Sequence, residues 1–225
     1  MNLNLATRIY NILKKDKRFE VYITRQVGGY TKEFADYFYL HNDDIVAFQD
    51  SARKNMQANI ASGSFVQKVN PPHHTVSEDV AVRLYGINKW ADENKMDAVV
   101  HIHFNDYPRS HSWTIGKYKG FVIYMPDGQL ANWKESSQLA ASIFTQLKKK
   151  YTTSTYEKEL GGLIPDQSLI AMGSNGTLIS GVRSVLIEYG YIYDKKFRTK
   201  SARFASYTAM SNLTAAGIKN YFFKK

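Results

Sequence analysis

Apolar residues at Leu5, Ile9, Ile12 and Leu13 keep the i, i+4, i+7, i+8 spacing of one helical face, which predicts an amphipathic helix over 4–15. Over 19–24 the period drops to two: Phe19, Val21 and Ile23 alternate with Glu20, Tyr22 and Thr24, the pattern of a strand ending at Arg25. The next stretch, 26–75, is the least regular of the chain. It has Gly28-Gly29 near one end, Pro71-Pro72 near the other, and one predicted helix over 43–60, so it reads as a long excursion from the core.

Regular patterning returns at Thr75 and Glu78, which have capping-box spacing. Val80, Leu84, Ile87 and Ala91 then mark a helical stripe to 93. The run AVVHIHF, 98–104, is apolar or aromatic almost throughout, as expected of a central strand covered on both faces. GFVIYM, 120–125, is a second such run, followed by a helix capped near Asn132 with Glu135 three residues on and Leu139, Ile143 and Leu147 as its core stripe. SVLIEY, 184–189, is a third buried strand, and a helix over 200–222 closes the chain. Helices alternating with short apolar strands predict a single layered α/β domain over 1–225, with a mostly parallel twisted sheet flanked by helices.

Composition narrows the chemistry. With 225 residues and 44% hydrophobic positions the chain can bury a core, and no apolar run approaches the roughly 18 to 20 residues of a membrane helix. Zero cysteines remove disulfides, thiolate metal sites and Cys nucleophiles together, leaving His and carboxylates to hold any metal. Arg8 interrupts the first apolar stretch and no small-residue cleavage site follows, so 1–13 does not read as a signal peptide. Thirty Lys and Arg against 20 Asp and Glu give +10, which favours polyanionic surroundings without choosing among nucleic acid, anionic lipid and acidic wall polymer.

Two anomalies stand out in the strands. His101 and His103 share one face of their strand, about 7 Å apart, while Ile102 and Phe104 fill the other, and Asn105 and Asp106 follow at the strand's carboxyl end. Glu188 interrupts the apolar run Val185-Leu186-Ile187. A carboxylate there needs a structural partner, such as Arg25 or Arg83, a neighbouring metal, or a place at a strand end facing a cleft. Both anomalies fall at the ends of predicted parallel strands, where ligand sites of open α/β sheets form.

Leu3-Asn4-Leu5-Ala6, VYITR ending at Arg25, the helix from Arg83 through Asn88, VVHIHFND, GFVIYM and VLIEYGY follow one another as the landmarks of a family do. The sequence resembles, over nearly its whole length, the zinc-dependent N-acetylmuramoyl-L-alanine amidases of the Amidase_3 type. The family's S-I-H-A-N corresponds to His101 through Asn105, and its L-x-E-x-G-F to Leu186 through Tyr191. The resemblance implies a metalloenzyme that hydrolyses the amide between N-acetylmuramic acid and L-alanine in peptidoglycan, acting outside the cytoplasm in the periplasm or cell wall. It implies zinc as cofactor, His103 as a metal ligand and Glu188 as the catalytic carboxylate. His101 replaces the family's Ser and is expected to support the site or bind water, not to ligate.

The resemblance also exposes a deficit. Family members begin with a strand ending in D-P-G-H-G-G, whose His is the first ligand, and a Glu opening the next helix is the second. Neither is found here, so the chain reads as an amidase-like domain lacking the first strand, with any export signal lost with it. His41, His73 and His74 in the excursion are substitute ligand candidates, and His111 with Trp113 is a candidate groove lining. Arg25 and Arg83 are candidate braces for the site carboxylates. Two readings stand beside the enzyme: a noncatalytic wall-binding or regulatory relative with an incomplete metal site, and a basic nucleic-acid-binding protein. The second lacks a reading motif, and no nucleic-acid partner is expected.

Overall fold

The computed structural model describes residues 1–68 and 76–223. Along the chain lie α1 (Asn2–Lys14), the two-residue strands β1 (Arg25–Gln26) and β2 (Gly29–Tyr30), α2 (Lys32–Leu40), α3 (Asn42–Ala61), α4 (Glu78–Glu93), β3 (Ala98–Asn105) and β4 (Val122–Pro126). Then come α5 (Trp133–Leu147), β5 (Leu163–Asp166), β6 (Arg183–Tyr191), α6 (Lys195–Arg198) and α7 (Lys200–Phe223). β1 and β2 form a small antiparallel hairpin, and the other four strands form one sheet in the order β3-β6-β4-β5. β3 is parallel to β6 and β4 to β5, whereas β4 runs antiparallel to β6, so the sheet is mixed and mostly parallel, as the alternation of elements predicts.

Alternation along the strands sorts the core onto two faces. Val185, Ile187 and Tyr189 of β6 and Val100, Ile102 and Phe104 of β3 pack with Leu5, Ile9 and Leu13 of α1, Leu139, Ile143 and Leu147 of α5, and Tyr207, Met210 and Ile218 of α7. The predicted stripes of α1 and α5 are therefore the buried ones. On the opposite face Val122, Tyr124 and Leu186 pack with Met172, while Val99 packs beneath α4. The α5–α7 contact is close enough that a Cβ on Gly217 would stand 2.5 Å from Ile143 Cα.

Several sequence expectations give way. In the described part of the excursion α3 is the helix expected over 43–60, but a further helix the pattern did not show, α2, turns into it at His41, and the two pack Phe34, Phe38 and Ile45 against Tyr85 and Trp90. β5 escaped the pattern because its four residues include Pro165, which the outer strand of a sheet tolerates. α4 spans the predicted residues, but Ser77 is its N-cap and Thr75 lies outside the described residues. Asn132 caps α5 by position only, its side-chain amide donating instead to the carbonyls of Met172 and Val182.

The largest departure is at 19–24. Phe19, Val21 and Ile23 are half-buried and their neighbours Glu20 and Tyr22 exposed, so the alternation holds, yet the segment forms no ladder. β3, predicted to be central, is an edge strand, half-buried along most of its length; among the described residues no strand pairs with its side away from β6. Between 19–24 and β3 lies a groove of about 1070 Å³, walled by Ile9, Val21, Ile23, Val80, Leu84 and Ile102 and reaching His101, His103 and Glu188. Of the predicted α4 stripe, Ile87 and Ala91 are buried, while Val80 and Leu84 face this groove and the helix also buries Ala81, Tyr85 and Asn88.

Candidate active site

Parallel pairing of β3 with β6 makes His103 and Glu188 register partners, and His101 pairs with Leu186 two steps earlier. The register shifts between His103 and Asn105, so the regular ladder ends where the candidate chemistry begins. Val122 is the partner of Glu188 on the other side, and Tyr124 lies two residues along β4 on the same face. The sheet thus brings the two predicted site residues side by side at one edge.

Their environments differ. His103 is exposed, whereas Glu188 is half-buried with Oε2 fully enclosed and without a hydrogen-bond partner. Burial, with the nearby charge of Glu159 adding to it, pushes the Glu188 carboxyl up to about 8. His101 is pushed the opposite way, down to about 4, by burial and by the neighbouring His103, while a backbone hydrogen bond with Ala171 partly offsets this. Its Nε2 is buried and lacks a hydrogen-bond partner. His101 is therefore held toward its neutral form at the buried end of the site.

The 168–177 loop covers this face. Asn88 on α4 donates to Ile170 O at 2.7 Å and to Thr177 Oγ1 at 3.0 Å, both from inside the core. Asp166 accepts from the backbone amides of Ser168 and Leu169 at 2.7 and 2.8 Å and so fixes the turn out of β5.

Sequence reasoning missed Glu159, which ends a 3₁₀ turn, Glu157–Glu159, in a polar stretch that reads as solvated. Its side chain is 2% exposed and accepts hydrogen bonds from Asn105, Tyr124, Ser154 and Tyr191. The available hints were weak: the turn precedes Gly161-Gly162, and Asn105 and Tyr191 fall at strand ends.

Other candidates are not brought to the site. Arg25 is exposed and bonded to Tyr30 at 2.8 Å, with its guanidinium over the Tyr30 ring, and Arg83 lies over the Phe38 ring. Neither braces Glu188. His41 faces Asp44 at 3.4 Å and packs on Tyr37 in the α2–α3 corner. His73 and His74 lie outside the described residues. His111 stacks on Trp113 in the β3–β4 connection, with ring planes 1° apart. Among the described residues no three His, Asp or Glu side chains converge as a metal centre, so these residues alone do not fit a three-ligand zinc site.

A mixed α/β sheet with an imidazole beside a half-buried carboxyl at the mouth of a groove defines the class: an α/β domain with its candidate site at a sheet edge. The chain belongs to the Amidase_3 family, N-acetylmuramoyl-L-alanine amidase, which matches residues 67–220. Among solved structures it is similar to the catalytic domain of CwlV from Bacillus (Paenibacillus) polymyxa var. colistinus, at 16% identity and TM-score 0.55, covering 99% of this chain and 83% of that one. The N-acetylmuramoyl-L-alanine amidase of Clostridium difficile 630 gives 14% identity and TM-score 0.55 over 99% and 82% of the two chains. For the apo form of Ami1 from Mycobacterium abscessus the values are 19% and 0.48, over 61% of this chain and 60% of that one, so this chain spans about three-fifths of Ami1. No curated protein sequence matches the chain.

Proposed function

We propose that this domain hydrolyses the amide between the lactyl group of N-acetylmuramic acid and the L-alanine of the stem peptide in peptidoglycan, and that the protein works outside the cytoplasm. The observation that carries the reading is the register pairing of His103 with Glu188 within a chain of this family. Glu188 is the group assigned to both proton transfers of amide hydrolysis, since it stands beside His103 at the sheet edge and burial raises its carboxyl above the ordinary carboxylate range. Its carboxylate takes a proton from the attacking water, a C–O bond forms at the carbonyl carbon, and the same proton passes to the leaving alanine nitrogen as the C–N bond breaks.

Zinc is the cofactor that family membership implies, and the described residues supply fewer donors than a three-ligand site needs. His103, exposed at the sheet edge, is the described residue assigned to it.

The reading is tested by incubating the chain with purified peptidoglycan and measuring released stem peptides by mass spectrometry, with and without a chelator and added zinc. Chelator-sensitive release that Glu188→Ala abolishes supports an amidase. Retention on peptidoglycan without release favours the noncatalytic wall-binding alternative, whose incomplete metal site matches the lack of a three-donor cluster among the described residues.

A further inference from the structure

The Glu157–Glu159 turn carries two carboxylates of opposite character. Glu157 is exposed and bonded to Tyr118 and Lys117, an ordinary surface arrangement. Glu159 points inward. Its Oε1 accepts from Asn105 Nδ2 at 3.0 Å and from the Tyr124 hydroxyl at 2.8 Å; its Oε2 accepts from the Ser154 hydroxyl at 2.5 Å and from the Tyr191 hydroxyl at 3.1 Å. An ionised carboxylate has about four acceptor positions, and here all are used. None of the ion pairs among the described residues includes Glu159, although its neighbour Glu157 has one.

Three of the four donors come from strands of the main sheet. Asn105 ends β3, two residues beyond His103; Tyr124 lies in β4; Tyr191 ends β6, three residues beyond Glu188. Asn105 and Tyr191 are themselves register partners past the irregularity. One side chain thus gathers the ends of the two site-bearing strands and the strand beside them.

A staple alone would not need a charge. Burying a carboxylate without a counter-ion is costly, and a neutral amide could accept some of the same bonds. What the charge adds is direction, because a carboxylate only accepts and every neighbour must therefore donate to it. Asn105 must turn Nδ2 toward Glu159, which leaves Oδ1 as its free acceptor.

We infer that Glu159 is a positioning residue: it locks the Asn105 amide with its carbonyl oxygen available to an N–H of the bound stem peptide beside His103 and Glu188. This rests on the amidase reading above. The role belongs to Asn105 on the substrate, and Glu159 acts through it.

The experiment compares wild type, Glu159→Gln, Asn105→Ala and the double variant. Peptide release from purified peptidoglycan gives kcat and KM; thermal melting and the side-chain amide NMR signals of Asn105 are recorded alongside. Glu159→Gln keeps shape and removes the acceptor-only character. The expected result is a kcat reduced about 10- to 100-fold with melting nearly unchanged, shifted and faster-exchanging Asn105 amide protons, and no further loss in the double variant. Multiplying losses in the double variant, a kcat within twofold of wild type, or a loss that tracks a lowered melting temperature would each overturn it. If wild type releases no peptide, the amidase reading fails by itself and the amide signals decide the positioning: unchanged Asn105 signals in Glu159→Gln overturn it, and shifted, faster-exchanging ones support it.

Discussion

His103 and Glu188 are direct partners across the parallel β3–β6 pair, yet one is exposed and the other encloses an unpartnered carboxyl oxygen. Neighbours 85 positions apart in the chain therefore meet water on very different terms. An unpartnered buried acid costs stability, and the proton transfer proposed for Glu188 would trade that stability for chemistry.

That trade can be measured in Glu188→Gln. Peptide release should fall by at least about 100-fold, as loss of a general acid–base does. The melting temperature should hold or rise by a few degrees, because the amide removes an ionisation that burial opposes. Full activity, or a large fall in melting temperature, would remove Glu188 from the catalytic assignment.

The pH dependence of stability has two limbs of opposite sign. The folded state holds the Glu188 carboxyl at about 8 against an ordinary 4.5, so folding binds a proton in that interval and stability falls as pH rises through about 8. His101 is held at about 4 against 6.5, so unfolding binds a proton in its interval and stability falls as pH drops below 6.5. The slopes oppose each other between about 4.5 and 6.5, leaving a shallow region near pH 6. Urea midpoints should fall from pH 6.5 to 9 in the native chain, and Glu188→Gln should flatten that limb alone. An unchanged alkaline slope in the variant would contradict the assignment.

Gly217→Ala reverses an ordinary expectation. In an open helix the change would stabilise by roughly 1 kcal/mol. Here the new Cβ would meet Ile143 Cα at 2.5 Å and Ile143 N at 3.0 Å, backbone atoms that cannot rotate away. The α5–α7 pair must then separate, and the expected cost is about 1–3 kcal/mol, read as a lower urea midpoint. A raised midpoint would mean the two helices are free to part.

The groove beside β3 should be accessible in the native state. Interiors this size are rarely left unfilled, and its walls are largely apolar. A neutral apolar dye should fluoresce with the folded chain well below its melting temperature, and Leu84→Asn should weaken the signal. No dye binding to the native chain would show the groove to be closed in solution.

How much of this was legible depended on whether a signal was local. The pairing of His103 with Glu188 followed from two apolar strands, one broken by His101 and His103 and the other by Glu188 near their carboxyl ends, and the parallel ladder then set the register. The strand expected over 19–24 shows the limit: its alternation describes the side chains, but a ladder needs a neighbour and the groove lies where one would be. Glu159 was invisible because its burial is made by Asn105, Tyr124, Ser154 and Tyr191, which are 54, 35, 5 and 32 positions away. No window along the chain holds all of them.

The reversal of β4 against β6 has its own consequence. Because Val122 at the start of β4 faces Glu188 near the end of β6, the connection entering β4 and the one leaving β6 open at the same rim. Arg198 already joins them through the carbonyl of Trp113. Insertions or exchanges in either connection would reshape what reaches the carboxyl while leaving the hydrophobic layers beneath untouched, so substrate range in this architecture can change independently of the scaffold that keeps it folded.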